Sequence, residues 1–344
     1  MKHELTSGYS ISPILKGGWQ LSESHNDEKS TTPVEDMFEF VDAGITTFDC
    51  ADIYTGVEEL IGEFRDQYQR ERNEEPPIQV HTKFVPDRTA LEDISYEDVE
   101  RIVDRSRARL GVDVLDVVQF HWWDYTVDNY VETALFLEKL REEGKIRHIG
   151  VTNFDTPRLK ELVDADIPVV SNQVQYSLLD QRPNGSMVKL CRKNDIKFLC
   201  YGTLAGGFLT DRYLGSNEPT TPLENRSLTK YKLIIDDTGG WKAFQELLKT
   251  LSMIAERHGV SIANVASRFV LEQQQVCSVI VGARNTAHLK DTCRTLEFSL
   301  TDEDYRAIER ATADLDVLSG SIYGLERNSE RHARIMKYNL NKKD

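Results

Sequence analysis

The sequence predicts an α/β fold: a (β/α)8 TIM barrel with a long loop after its seventh strand, extra helices and a C-terminal tail. Three observations predict it. Short apolar runs alternate with amphipathic stretches in one continuous series from about Pro13 to Ala283, and such alternation builds a parallel sheet. The runs are rich in Val and Ile, as strands covered on both faces are. They number eight, which closes a barrel. A doubly wound open sheet is the competitor. It calls for a Gly-rich phosphate turn after an early strand, and no G-x-G-x-x-G occurs.

The expected strands are residues 14–21, 45–51, 78–84, 115–122, 147–153, 169–176, 197–203 and 276–281. Helices are expected between them. The stretch 32–43 follows a Thr-Pro start signal. The next, 56–72, sets Val57, Leu60, Ile61 and Phe64 on one face at helical spacing. A third, 96–110, stops at Gly111, and a fourth, 127–143, stops at Gly144. Helices at 157–163 and 187–193 complete the regular series. Residues 215–240, rich in Thr, Pro, Asn and Gly, read as a long loop, followed by two helices at 241–257 and 261–272. The barrel is thus expected as one catalytic domain over 1–315. The tail, 316–344, either folds toward the active-site face or leaves it.

Composition narrows the class. With 40% hydrophobic and 29% charged residues the chain is an ordinary globular protein. A net charge of −15 argues against nucleic acid as a partner. No apolar stretch is long enough for a membrane span or a signal peptide. The five cysteines form no C-x-x-C pair and read as free thiols in a reducing compartment. A cytoplasmic enzyme is expected. Its oligomeric state is not legible.

Four residues carry the chemistry: Asp49, Tyr54, Lys83 and His121 each lie at or just beyond the C-terminal end of an apolar run. A barrel collects those ends on one face. Taken singly, each has a plain explanation: a turn aspartate, a packing tyrosine, a solvated lysine, a structural histidine. Together they can deliver a proton to a carbonyl oxygen. Tyr54 is the expected donor, with Lys83 lowering its pKa and Asp49 holding Lys83. His121 is expected to hydrogen-bond the carbonyl oxygen. No side chain supplies a hydride, which implies a nicotinamide. His81, two residues before Lys83, is expected deeper in the barrel as a core histidine.

With these residues in place the chain resembles the aldo-keto reductases. TTFDCADIYTGVEELIGE, EEGKIRHIGVTNF, QVQYSLLD and YGTLAGGFLT carry the resemblance, which runs from about Ile14 to Leu315. It implies the tetrad just named and NAD(P)H dependence without a dinucleotide fold. It implies Thr152, Asn153 and Gln173 at the nicotinamide carboxamide, Tyr201 stacked on the ring, and Leu204, Gly206 and Leu209 along the pyrophosphate. Arg284 and His288 fall at the adenosine end, where Arg284 could clamp a 2′-phosphate. NADP(H) is therefore the expected cofactor, with NAD(H) the alternative. Trp19, Trp122 and Trp123 are expected to line an aromatic pocket for an aldehyde or ketone. Two other functions stay open: an NADP-binding sensor or channel-associated subunit with slow turnover, and an NAD-dependent sugar or alcohol dehydrogenase.

Overall fold

The computed structural model describes residues 2–22, 30–220 and 222–341. Residue 221 of the expected loop and residues 342–344 of the expected tail lie outside that range.

Two strands, β1 (His3–Thr6) and β2 (Tyr9–Ile11), precede the barrel. Its strands are β3 (Ile14–Gly17), β4 (Thr47–Asp49), β5 (Gln79–Phe84), β6 (Leu115–Phe120), β7 (Ile146–Thr152), β8 (Val169–Gln175), β9 (Lys197–Tyr201) and β10 (Val276–Gly282). They pair in parallel around a closed ring in which β10 returns to β3. The first six helices are α1 (Pro33–Asp42), α2 (Val57–Arg72), α3 (Tyr96–Leu110), α4 (Tyr130–Glu142), α5 (Thr156–Asp164) and α6 (Ser186–Lys193). Each follows a strand and covers the ring. Local chemistry sets their ends. The Ser95 hydroxyl and Asp98 carboxylate close a capping box on α3, and Gly111 ends that helix in the left-handed region at φ 65°.

The expected loop over 215–240 is corrected. It contains a helix, α7 (Arg226–Asp237). Asn225 caps it by accepting from Leu228 N at 2.9 Å, and Leu228, Tyr231, Ile234 and Ile235 bury one face. The flanking Thr, Pro and Gly residues masked that periodicity. The two helices expected next are present as α8 (Gly240–His258) and α9 (Ile262–Leu271). After β10 come α10 (Leu289–Arg294) and α11 (Asp302–Ala313), the latter opened by a Thr301–Asp304 capping box.

The antiparallel pair β1–β2 plugs the N-terminal end of the barrel. Leu5, Tyr9 and Ile11 pack on Leu15, Val117, Leu199 and Cys277. The Tyr9 hydroxyl lies 3.3 Å from His81 Nε2, so His81 sits inside the barrel as expected, fully buried. The opposite end is crossed by the tail. Two short helices, α12 (Gly324–Asn328) and α13 (Glu330–Ala333), belong to a strap that runs from beside α7 to the loop after β5. His332 pairs with Asp237 of α7 at 2.7 Å. Further on, the backbone of Leu340 and Asn341 donates to Asp87, and Asn341 Nδ2 donates to Val85 O at 2.7 Å. Among the described residues no helix is long and apolar enough to cross a membrane.

Candidate active site

Parallel register brings the strand ends to one level. Asp49 of β4 pairs with Gly17 and His81, Lys83 of β5 with Gln119, and Thr152 of β7 with Gln173. The inward side chains then meet. Lys83 Nζ donates to both Asp49 oxygens at 2.9 and 2.7 Å, and to Cys50 O at 2.8 Å. Gln119 and Gln173 also donate to Asp49 Oδ1, at 3.1 and 2.6 Å. Both residues of the ion pair are nearly inaccessible to water, where an unpaired charge would be costly. Burial alone would push the Lys83 pKa down, but Asp49 and its hydrogen bonds hold it above the ordinary lysine value.

Tyr54 sits in the turn after β4, its N–H bonded to Ala51 O at 3.0 Å. The Lys83 ammonium is 5.0 Å from its ring centroid, and the Trp19 ring is 5.0 Å away on an edge. Lys83 does draw the phenol pKa down, but burial raises it more, so Tyr54 lies above its ordinary value. The expected net lowering is thereby corrected: desolvation of the phenolate outweighs one ammonium that is already neutralised by Asp49.

His121 follows β6. Its Nδ1 is 3.1 Å from the carbonyl oxygen of Thr152. That oxygen can only accept, so Nδ1 carries the proton. Burial, Arg327 and Lys83 push the ring pKa down to about 3. The ring is neutral, and Nε2 is a bare acceptor, buried and without a hydrogen-bond partner among the described residues.

These residues floor a cavity of about 440 Å³. The walls hold Trp19, Trp123, Thr152, Asn153, Gln173 and Tyr201, with Leu204, Gly206 and Arg284 farther along. Tyr201 donates to Asn153 Oδ1 at 2.8 Å. Trp123 lies 4.3 Å from the His121 ring, centroid to centroid. Three expected residues do not border the cavity. Trp122 points outward, because neighbours along a strand alternate. Its Nε1 donates to Asp124 O and Val127 O, and its ring packs on Phe120. Leu209 is wholly buried in the core behind the loop. His288 lies exposed at the start of α10.

The strap supplies wall residues that the sequence did not single out: Tyr323, Ile335, Met336, Lys337 and Leu340. Lys230 of α7 joins them. Gln119 was also missed. Its place two residues before His121, on the same inward face of β6, was the available signal.

The comparisons bear on this cavity. A family model described as the aldo/keto reductase family matches residues 13–313. The chain belongs to the aldo/keto reductase family. It is an oxidoreductase. It is 28% identical to a probable aldo-keto reductase of Glycine max, over 95% of this chain and 93% of that one. It is 26% identical to flagellar radial spoke protein 5 of Chlamydomonas reinhardtii over 78% of this chain, and spans 59% of that protein's length. The fold is shared with a glycerol dehydrogenase from Gluconobacter oxydans, with a TM-score of 0.74 and 23% identity over 91% of this chain and 95% of that one. An aldo/keto reductase uses a nicotinamide cofactor. The cavity fits such a group: it offers an aromatic face at Tyr201, amides at Asn153 and Gln173, and a buried, unpartnered Gln20 Oε1 in the same wall. Among the described residues no acidic, histidine or cysteine cluster would hold a metal ion.

Proposed function

We propose that this aldo/keto reductase is a carbonyl reductase that converts an aldehyde or ketone to the alcohol with NADP(H). The observation that carries the reading is the buried Lys83–Asp49 pair set directly behind Tyr54 on the cavity floor. Packing alone gives no reason to bury that pair, whereas proton delivery does.

Tyr54 would protonate the substrate oxygen. Its raised pKa keeps it a phenol, the form that has a proton to give. The Lys83 ammonium lies behind the ring and favours the phenolate as the proton leaves, so the two effects act at different moments. Asp49, fixed by Gln119 and Gln173, keeps Lys83 charged and aimed. When bound, the nicotinamide supplies the hydride. Thr152, Asn153 and Gln173 would hold its carboxamide end, Tyr201 its ring, and the backbone around Leu204 and Gly206 its pyrophosphate. Arg284 would clamp a 2′-phosphate through charge-assisted bonds, which favours NADP(H) over NAD(H). The substrate would lie against Trp19 and Trp123. Free cysteines, four of them buried, favour a cytoplasmic setting.

The test is Tyr54→Phe. Turnover of aldehydes and ketones should fall by about 10³-fold or more, while NADPH still quenches tryptophan fluorescence with an unchanged Kd. Near-normal turnover in that variant would refute the assignment.

A further inference from the structure

A single guanidinium of the C-terminal strap joins two of the loops that frame the cavity. Arg327 donates through Nη2 to Trp122 O at 2.8 Å, through Nε to Trp123 O at 3.3 Å and through Nη1 to Asn153 O at 3.1 Å. The first two carbonyls follow β6 and the third follows β7. Its Cζ lies 4.1 Å from the Tyr125 ring centroid. Among the described residues no carboxylate pairs with it, so backbone oxygens and aromatic faces meet its charge. A mere tether would not need this arrangement. Lys230–Glu326, His332–Asp237 and the bonds of Leu340 and Asn341 to Asp87 and Val85 already hold the strap. Asn153 is the residue that needs holding. Its φ is 61°, in the left-handed region, where a residue other than glycine persists only if its surroundings impose it. Its N–H donates to Gln173 O at 2.9 Å, and its Oδ1 accepts from the Tyr201 hydroxyl at 2.8 Å. Arg327 takes the remaining backbone group, the carbonyl. Asn153 borders the cavity, and with Oδ1 occupied its Nδ2 protons are left for a bound group.

We propose that Arg327 is a positioning residue for the nicotinamide end of the cofactor: it locks the Asn153 carbonyl against those of Trp122 and Trp123 and so aims the Asn153 amide at the nicotinamide carboxamide. Arg327 does not itself border the cavity. It acts through Asn153 on the cofactor side and through Trp123 on the wall that receives the substrate, and it fixes one against the other. The strap thereby becomes part of the nicotinamide site. Arg284, at the adenosine end, follows β10, a strand end that receives no bond from Arg327. Loss of Arg327 is therefore felt at one end of the dinucleotide only. Lysine does not replace it, because the three protons of an ammonium radiate from one atom and cannot reach carbonyls set on two loops as the guanidinium fork does. This inference rests on the reductase reading.

The test compares NADPH with 2′-phospho-ADP-ribose, which lacks the nicotinamide, by calorimetric titration of the wild type, Arg327→Ala and Arg327→Lys. NADH and ADP-ribose form the matching pair, so the outcome does not hang on cofactor choice. The wild type should bind the dinucleotide more tightly than its fragment. Both variants should bind the dinucleotide about tenfold more weakly and the fragment within about twofold of the wild type. At saturation, the fluorescence of the bound reduced nicotinamide should fall toward that of the free cofactor. Arg327→Lys keeps the charge and most of the stem over Tyr125, so a loss shared by both variants belongs to the fork and not to a failure to fold. Equal losses for dinucleotide and fragment, or full affinity in Arg327→Lys, would overturn the proposal and leave the reductase reading standing. A wild type that binds dinucleotide and fragment equally would do the same. Binding of none of the four ligands by the wild type rejects both.

Discussion

Lys230 of α7 and Glu326 of the C-terminal strap face each other across 2.9 Å, with the carboxylate wholly buried. At that distance the ammonium both neutralises the carboxylate and hydrogen-bonds to it. Burial would raise the Glu326 pKa, but Lys230 and Arg182 pull it below its ordinary value. The Lys230 ammonium also lies over the rings of Tyr201, Tyr231 and Tyr323 at 5.3 to 5.7 Å. The pair therefore pins the strap to the helix that flanks the cavity. Glu326→Ala should leave Lys230 uncompensated and loosen the strap by about 3 kcal/mol, at the lower end for a broken buried pair because Lys230 borders the cavity. Hydrogen exchange should rise across 318–341 while the barrel strands stay protected. Unchanged exchange in the strap would show that its other anchors suffice.

If Tyr54 is the proton donor as proposed, its raised pKa sets the pH dependence of the reaction. Reduction needs the phenol, whose population is lost only as pH rises through its pKa. The reductive kcat should therefore stay level to at least about pH 10 before falling. Alcohol oxidation needs the phenolate and should climb over the same range. His121, held near 3, should add no inflection between pH 5 and 8. A reductive limb that falls below pH 9 in stopped-flow or steady-state profiles would contradict a desolvated phenol.

Two buried histidines also make stability depend on pH. Burial pushes both His81 and His121 down to about 3. The unfolded chain takes up protons below about pH 6.5 that the folded chain refuses, so stability falls as pH drops through that value. Each group contributes a slope of roughly 1.4 kcal/mol per pH unit well below pH 6.5. The urea midpoint should fall between pH 7 and pH 5, and His81→Leu should flatten that fall. Parallel curves for the variant and the parent would mean that His81 is not buried as a neutral ring.

On the proposed reading, cofactor choice turns on Arg284, which borders the cavity. Arg284→Ala should weaken NADPH binding by about 10- to 100-fold and leave NADH binding within about twofold, as loss of a charge-assisted phosphate contact would. Fluorescence titration with each dinucleotide measures both. Equal losses for the two would remove Arg284 from the 2′-phosphate site.

Most of the barrel was legible because βα units announce themselves locally. The runs ending in Asp49, Lys83 and His121 are strands by their own composition, and barrel closure then places their ends together. Trp122 shows where that logic slips: beside His121 in sequence, it is turned to the opposite face by strand alternation. The α7 helix was hidden by its Thr- and Pro-rich flanks, although Asn225 and the Leu228–Tyr231–Ile235 spacing announce it in retrospect. The β1–β2 pair was missed because its signal is two short runs about a single turn at Gly8.

By itself the sequence determined the barrel, the family and the four residues that meet on the cavity floor, since each follows from local periodicity and from strand ends that closure must gather. Only the tertiary structure decided how those residues are protonated and what covers them. The Tyr54 pKa depends on a balance between burial and the Lys83 charge. The His121 tautomer is set by a carbonyl 31 positions away in the chain. The strap reaches the cavity through ion pairs and backbone contacts with α7 and the loop after β5. These are properties of desolvation and of long-range proximity, and no local pattern of residues encodes either one.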